Sequence, residues 1–342
     1  MSTRLLRALA LVVATAATLA LAACTPGTPA RTADAGVSPA AFPVSVTSAL
    51  GTAEIPAAPK RIVTIGWGSA DTAVALGTTP VGVEVDAWAG DADGYQAWTR
   101  AAIEEKGDAL PQTFTVYPEV DVAAIVELAP DLILAPQSGL SQADFDVLNA
   151  LAPTVAFPRT AWRTPWDEQI SIIGMALGKS AEAARLVVGL RDTMAKTKAE
   201  NPEFAGKSFA YISGGEPGTL GIYQAGDPRV DLISAIGLSE VPSIATMPVT
   251  PGTFSTSIGL ERTDVLDDVD VLFTWFNDTA SQATTEAQPL YARVPAVQRG
   301  SYIASVDRPL VLATSMITPY SVPWAIGVFV PEIKRAIAEV AQ

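Results

Sequence analysis

The sequence predicts an α/β fold in two halves, each built on a mainly parallel sheet. Three observations predict it. Apolar, β-branched runs of four to six residues alternate with helical stretches of about ten, the rhythm of βαβ units. That rhythm gives way to a long helical region after residue 163 and restarts after residue 205. A chain of 342 residues also fits two lobes, at roughly 150 residues each.

In the first half, residues 61–65 (RIVTI) read as a strand, followed by a Gly-rich turn and a helical stretch over 70–76. Further strands are expected at 81–85, 132–135 and 154–157. Helical spacing of Val122, Ile125, Val126 and Leu128 marks 120–128, and a second helix is expected at 141–151, with Ser141 suited to cap it. In the second half, strands are expected at 208–212, 220–223, 271–275 and 302–306, with a helix over 229–236 ended by Gly237. The segment 214–218 (GGEPG) reads as a turn between strands.

Between the halves, Thr164, Pro165 and Asp167 read as N-cap, N1 proline and N3 acid of a helix. It runs to Leu177 and breaks at Gly178; a second helix runs from Ser180 to about Glu200, closed by Asn201 and Pro202. Ala184, Val187, Leu190 and Met194 give that helix one buried stripe. Some 20 helical residues span about 30 Å, enough to bridge two lobes. A crossover helix inside one large sheet fits the same pattern.

The first residues indicate where the chain works. Arg4 and Arg7 precede an apolar run of 16 residues, 8–23, shorter than the ~20 a membrane-spanning helix needs. Small residues then stand before Cys24, the only cysteine. This resembles a bacterial lipoprotein signal, in which the Cys24 thiol is alkylated by a diacylglyceryl group before cleavage. An ordinary signal peptide or an uncleaved anchor are the alternatives. Removing residues 1–23, which carry two arginines and no acids, takes the formal charge from −14 to −16. Residues 25–42 are rich in Pro, Gly, Ala, Ser and Thr, a tether composition. The expected organisation is therefore signal (1–23), tether (24–42), N-terminal lobe (43–163), helical connection (164–202) and C-terminal lobe (203–342).

Composition removes whole classes of function. With 49% hydrophobic and 17% charged residues the chain can build a core. It contains no histidine, so Ser-His-Asp and Cys-His catalysis, HExxH zinc sites and His-ligated haem are excluded. One cysteine makes neither an intramolecular disulfide nor a Cys-rich metal site. The acidic balance disfavours nucleic acid. The run Gly66, Trp67, Gly68, Ser69, Ala70 is not a nucleophile elbow, because its last position is alanine. There is no P-loop, and Asp267 with Asp268 fall in a helix-to-strand connection, where a solvated surface is the expected reading. The sequence therefore predicts no enzyme, with an extracytoplasmic lipoprotein enzyme as a minor alternative.

A family resemblance rests on several segments in order. These are 51–66 (GTAEIPAAPKRIVTIG), 126–134 (VELAPDLIL), 173–184 (IGMALGKSAEAA), 260–266 (LERTDVL), 318–324 (TPYSVPW) and 330–333 (VPEI). Following a lipoprotein signal, this order resembles the iron–siderophore ABC-transporter substrate-binding lipoproteins, a group with cobalamin- and haem-binding relatives. The resemblance covers roughly residues 45–340. It implies two Rossmann-like lobes joined by one rigid helix, with the ligand in the cleft between them and no resident cofactor. The cargo is then a ferric siderophore, its metal already wrapped, so no direct metal ligands are expected. Partners are the permease subunits and, through Cys24, the membrane; a monomer is expected. A corrinoid, haem held by tyrosine, or a non-transport lipoprotein that kept the fold are the alternatives.

Ligands of open α/β sheets sit outside the carboxyl ends of the strands. The residues following the predicted strands are therefore the candidates: Trp67, Trp88, Tyr95, Trp98, Trp162 and Arg163 in the first half, with Gln137 and Ser138 beside them, and Tyr223, Trp275, Phe276 and Arg308 in the second. Aromatic faces suit a bulky semi-apolar complex, and few arginines favour a neutral hydroxamate or mixed-type complex over an anionic one. Trp166 and Trp324 read as packing residues, and Arg229 as a further arginine of the cleft. In the resembled family each lobe offers an acid to permease arginines; Glu261 matches in the second lobe. The first-lobe position is Ala123, so Asp121 or Glu119 would substitute.

Overall fold

The computed structural model describes residues 41–214 and 218–340; the signal, Cys24, most of the tether and residues 215–217 lie outside them. A short antiparallel hairpin, β1 (Val44–Thr47) and β2 (Thr52–Ile55), leads in. The first sheet follows as β3 (Ile62–Thr64), α1 (Ser69–Ala75), β4 (Gly82–Glu84), α2 (Ala97–Glu105), β5 (Gln112–Phe114), α3 (Val122–Glu127), β6 (Leu132–Leu134), α4 (Gln142–Leu151) and β7 (Thr154–Val155). Its strand order is β5-β4-β3-β6-β7, parallel throughout. Ile62, Val63, Leu132, Ile133, Leu134 and Val155 are fully buried, as expected of a sheet covered on both faces. The predicted cap of α4 is present: the Ser141 hydroxyl accepts the Asp144 N–H, and Asp144 reaches back to the Ser141 N–H.

Two helices lead on, α5 (Trp166–Ala176) and α6 (Ser180–Glu200), with Gly178 between them at φ 67°. The start of α5 differs from the sequence reading. Pro165 is the N-cap, and the Thr164 hydroxyl instead donates to the Pro136 carbonyl, tying the helix start to the loop after β6. The buried stripe of α6 is Ala183, Val187, Leu190, Met194 and Thr197; Ala184 is exposed. Register is set where Ala183 packs on Gly174, since a Cβ at Gly174 would lie 2.2 Å from that of Ala183.

The second sheet comprises β8 (Ser208–Gly214), β9 (Thr219–Tyr223), α7 (Pro228–Ala235), β10 (Ser239–Glu240), α8 (Pro242–Ala245), β11 (Ser255–Gly259), β12 (Val271–Trp275), α9 (Thr279–Glu286), α10 (Pro295–Arg299), β13 (Tyr302–Ser305), α11 (Arg308–Thr314) and α12 (Ser321–Val340). The expectation of a mainly parallel sheet holds here, with an antiparallel edge. The order is β11-β9-β8-β12-β13, with β10 also on β8. β8, β12, β13 and β10 run parallel, but β9 and β11 are antiparallel. The short β8–β9 link allows only a hairpin, because a parallel return needs a crossover of a dozen or more residues.

One apolar cluster runs from Ile62 and Leu132 through Ile173 and Leu190 to Phe209, Phe273 and Phe329. Both sheets therefore pack on the same connecting helices. The fold is two α/β lobes joined through a continuous core rather than through a slack hinge.

Candidate ligand cleft

In the first sheet the strand order reverses between β3 and β6, the point at which open α/β sheets leave a crevice. Trp67 stands in that crevice between Gly66 (φ 79°) and Gly68 (φ 73°). Only glycine serves at 66: a Cβ there would lie 2.1 Å from the Gln137 carbonyl oxygen. The Trp67 N–H donates to that same carbonyl at 3.0 Å, and its own carbonyl accepts from the Gln169 amide. The backbone is thus held while Trp67 stays 38% exposed.

Gln137 organises the facing loop. Its Nε2 donates to the Trp162 carbonyl at 3.0 Å and its Oε1 accepts the Thr164 N–H at 2.8 Å. Trp162 adopts φ 60°, a left-handed conformation costly for a bulky residue and seen where the surroundings impose it. The result is a tilted Trp67–Trp162 pair with centroids 5.5 Å apart. Tyr117, after β5, completes the wall and is 60% exposed. A Cβ at Gly139 would lie 2.4 Å from the Trp162 Nε1 and 2.8 Å from the Tyr117 Oη, so that glycine lets the two rings close in.

These side chains line a cavity of about 390 Å³ that also takes in Glu84, Asp86 and Trp88. A neighbouring cavity of about 480 Å³ shares Glu84, Tyr117 and Trp162, and a third of about 460 Å³ joins Trp162 and Arg163 to Phe254 of the second lobe. The Glu84 Oε2 accepts the Gly66 N–H at 2.7 Å. Burial pushes its carboxyl up from the usual range, that hydrogen bond opposes the shift, and the Asp86 charge adds to it. Asp86 Oδ1 accepts the N–H groups of Trp88 and Ala89 at 3.1 and 2.8 Å, while its Oδ2 is buried without a partner.

The second lobe meets this wall edge-on. Trp275 lies perpendicular to Trp88 at 5.8 Å, and its indole N–H donates to the Tyr223 hydroxyl at 3.2 Å. The Arg229 guanidinium sits 3.9 Å over Tyr223 and grips Asp227 through two hydrogen bonds of 2.8 Å. Arg308 donates to the Asn277 carbonyl and lies 5.8 Å from the Trp88 ring. Arg163 stacks 4.2 Å over Phe254, a second contact across the cleft.

Of the predicted candidates, Trp67, Trp88, Trp162 and Arg163 line these cavities, and Tyr223, Trp275 and Arg308 stand on the opposing side. Three do not reach the wall. Trp98 is 5% exposed, donates its indole N–H to Asp71 and packs on Trp324. Tyr95 lines a separate void of about 40 Å³, donates its hydroxyl to the Pro111 carbonyl and carries Arg100 over its ring. Phe276 is 3% exposed, and its ring would lie 2.9 Å from a Cβ at Gly214. Trp98 and Phe276 fill core positions, and Tyr95 stays half-buried away from the wall. Glu119 is exposed and lines the rim of the 480 Å³ cavity. Asp121 is exposed and accepts the Ala124 N–H as N-cap of α3. Glu261 is exposed in the first turn of a 3₁₀ helix, Leu260–Leu266.

Tyr117, Phe254, Glu84 and Asp86 escaped the sequence reading. Tyr117 follows the short strand QTF and Phe254 precedes the polar strand STSIG, neither of which carries a β pattern strong enough to point to its loop. Glu84 ends β4, within the strand expected at 81–85, and a polar residue at that strand end is the sequence feature that marks it. Among the described residues, no group of three or more acids or cysteines is placed to hold a metal ion. None of the described helices is long and apolar enough to cross a membrane.

Residues 62–305 match the family described as periplasmic binding protein. In sequence the chain is 30% identical over 189 residues to the "Probable siderophore-binding lipoprotein YfiY" of Bacillus subtilis (strain 168), covering 52% of this chain and 54% of that protein. The chain spans about half the length of the relatives it matches by sequence. In structure it is similar to Streptococcus pneumoniae TIGR4 PiaA in complex with ferrichrome, with a TM-score of 0.77 and 27% identity over 86% of this chain and 99% of that one. A periplasmic solute binding protein from Mycobacterium smegmatis str. MC2 155 follows at a TM-score of 0.73 and 28% identity, covering 86% and 98%. With a match over more than half its length, the chain belongs to the periplasmic binding protein family.

Proposed function

We propose that this protein is the lipid-anchored solute-binding component of an ABC importer, and that it captures a ferric siderophore and delivers it to the membrane permease. One observation carries the reading: an aromatic cavity of Trp67, Trp88, Tyr117 and Trp162 at the strand-order reversal, faced by Trp275 and Tyr223. Flat π faces on several sides suit a bulky complex with a semi-apolar shell. The siderophore-binding name of the Bacillus relative and the ferrichrome held by PiaA support the cargo class. Iron is cargo here, arriving already coordinated, so the protein's own work is to enclose and orient the complex.

Cys24 would carry the diacylglyceryl anchor, residues 25–42 the tether, and the protein would act outside the cytoplasm as a monomer. The continuous core through α5 and α6 favours modest closure around a preformed cleft, with affinity coming from preorganisation. Glu261 and Asp121, both exposed, would present the two acids that meet permease arginines. Titration of the purified protein with ferrichrome, cobalamin and haem, read by tryptophan quenching, tests the cargo class. Saturable quenching by ferrichrome is expected; saturation only with cobalamin or haem would overturn it. Charge reversal E261K should lower ligand uptake by cells while leaving binding unchanged; undiminished uptake would remove Glu261 from docking.

A further inference from the structure

In two of the three cavities the charges are one-sided. In the 390 Å³ cavity the charged side chains are Glu84 and Asp86, and in its 480 Å³ neighbour they are Glu84, Glu119 and Asp144. No arginine lines either of these two cavities. Arg229 is held by Asp227, Arg308 by the Asn277 carbonyl, and Arg163 lies flat on Phe254. Asp144 is consumed by its capping box. Glu84, by contrast, accepts a single backbone N–H, and Asp86 keeps one buried oxygen with no partner. A buried acceptor left unpaired costs about 1–3 kcal/mol, so the Asp86 oxygen gains from any donor, water or ligand, that reaches it.

Aromatic faces beside carboxylates form a surface for cations: the ring quadrupole and the acid both favour positive charge. A ferric tris-catecholate or citrate complex, carrying several negative charges, would meet repulsion on this wall. Resting on the siderophore reading, we propose that the cleft selects a ferric hydroxamate bearing a cationic amine, with the iron-binding shell on the Trp67 and Trp162 faces and the ammonium toward Glu84 and Asp86.

The test compares the ferric complex of desferrioxamine B, a linear trihydroxamate ending in a primary amine, with its N-acetylated form and with a ferric tris-catecholate. The ammonium form should bind at least about tenfold more tightly than the acetylated one, roughly one charge-assisted hydrogen bond. In D86N that preference, read as the ratio of the two affinities, should collapse; E84Q should reduce it in part. Equal affinities in the wild type would overturn the inference without any variant, and so would a preference that survives both substitutions. Tight binding of the catecholate with both hydroxamates silent would overturn it while the siderophore reading stands. Silence of all three, and of ferrichrome, would overturn both.

Discussion

The two walls of the cleft are made of similar residues and use them differently. On the first-lobe wall, Trp67, Tyr117 and Trp162 keep exposed faces, because backbone bonds at Gln137 and the glycines at 66, 68 and 139 hold the loops. On the second-lobe wall, Trp275, Tyr223, Arg229 and Asp227 are bonded to one another. Under the proposed function, an aromatic or an arginine at a strand end would be a recognition group only when something else supports its loop. The first wall offers free chemistry; the second offers shape.

The largest effect should come from the joint that keeps the walls in register. Asp71, on α1 behind Trp67, is fully buried and accepts from the Trp98 indole, the Thr99 hydroxyl and the Thr318 hydroxyl. Thr318 lies just ahead of α12, so this carboxylate ties the first sheet's helix to the chain's C-terminal segment. Asp71→Ala would strand three buried donors and should cost about 3 kcal/mol or more in urea unfolding. Burial pushes the Asp71 carboxyl up from 3.8, against the pull of its three donors. Its contribution to stability is therefore fully present below that value and is lost as pH rises through the raised folded-state value. Wild type should lose stability relative to D71N over that rise; a gap that does not change with pH would contradict the assignment.

Next in size is the second wall's ion pair. Arg229 and Asp227 side chains are 13% and 5% exposed, and removing one partner leaves a buried charge alone. R229A should lower stability by about 3 kcal/mol, yet leave the ranking of anionic and cationic ferric complexes unchanged. A changed ranking would make Arg229 a recognition residue and dissolve the contrast between the walls. The smallest effect belongs to Arg163, half-buried on Phe254 across the cleft. R163A should weaken ligand binding by about 0.5–1 kcal/mol, the size of an exposed cation–π contact, seen calorimetrically.

Much of this was legible in the sequence where one residue type has one physical use. Ser141 capped its helix, Gly178 broke one, α6 ended at Glu200 and Trp67 stood after the first strand as read. Periodicity could not separate Ala183 from its neighbour Ala184, since alanine suits both faces of a helix. Strands β5 and β11 were missed because QTF and STSIG are short and mostly polar, and Tyr117 and Phe254 were missed with them. Trp98 and Phe276 illustrate the opposite failure. A ring after a strand or at a helix start has the same sequence signature whether it faces a cleft or fills a core, and its partners lie far along the chain. Asp71 and Thr318, 247 residues apart, are of that kind.

Under the proposed function the first wall would be the seat of binding. Calorimetric titration of a ferric trihydroxamate into wild type, the W67A/W162A double variant and R308A measures it. The double variant should lose at least about a hundredfold in affinity, as expected when two central aromatic anchors are removed, while R308A binds like wild type. Unchanged affinity in the double variant, or a larger loss in R308A, would contradict the account.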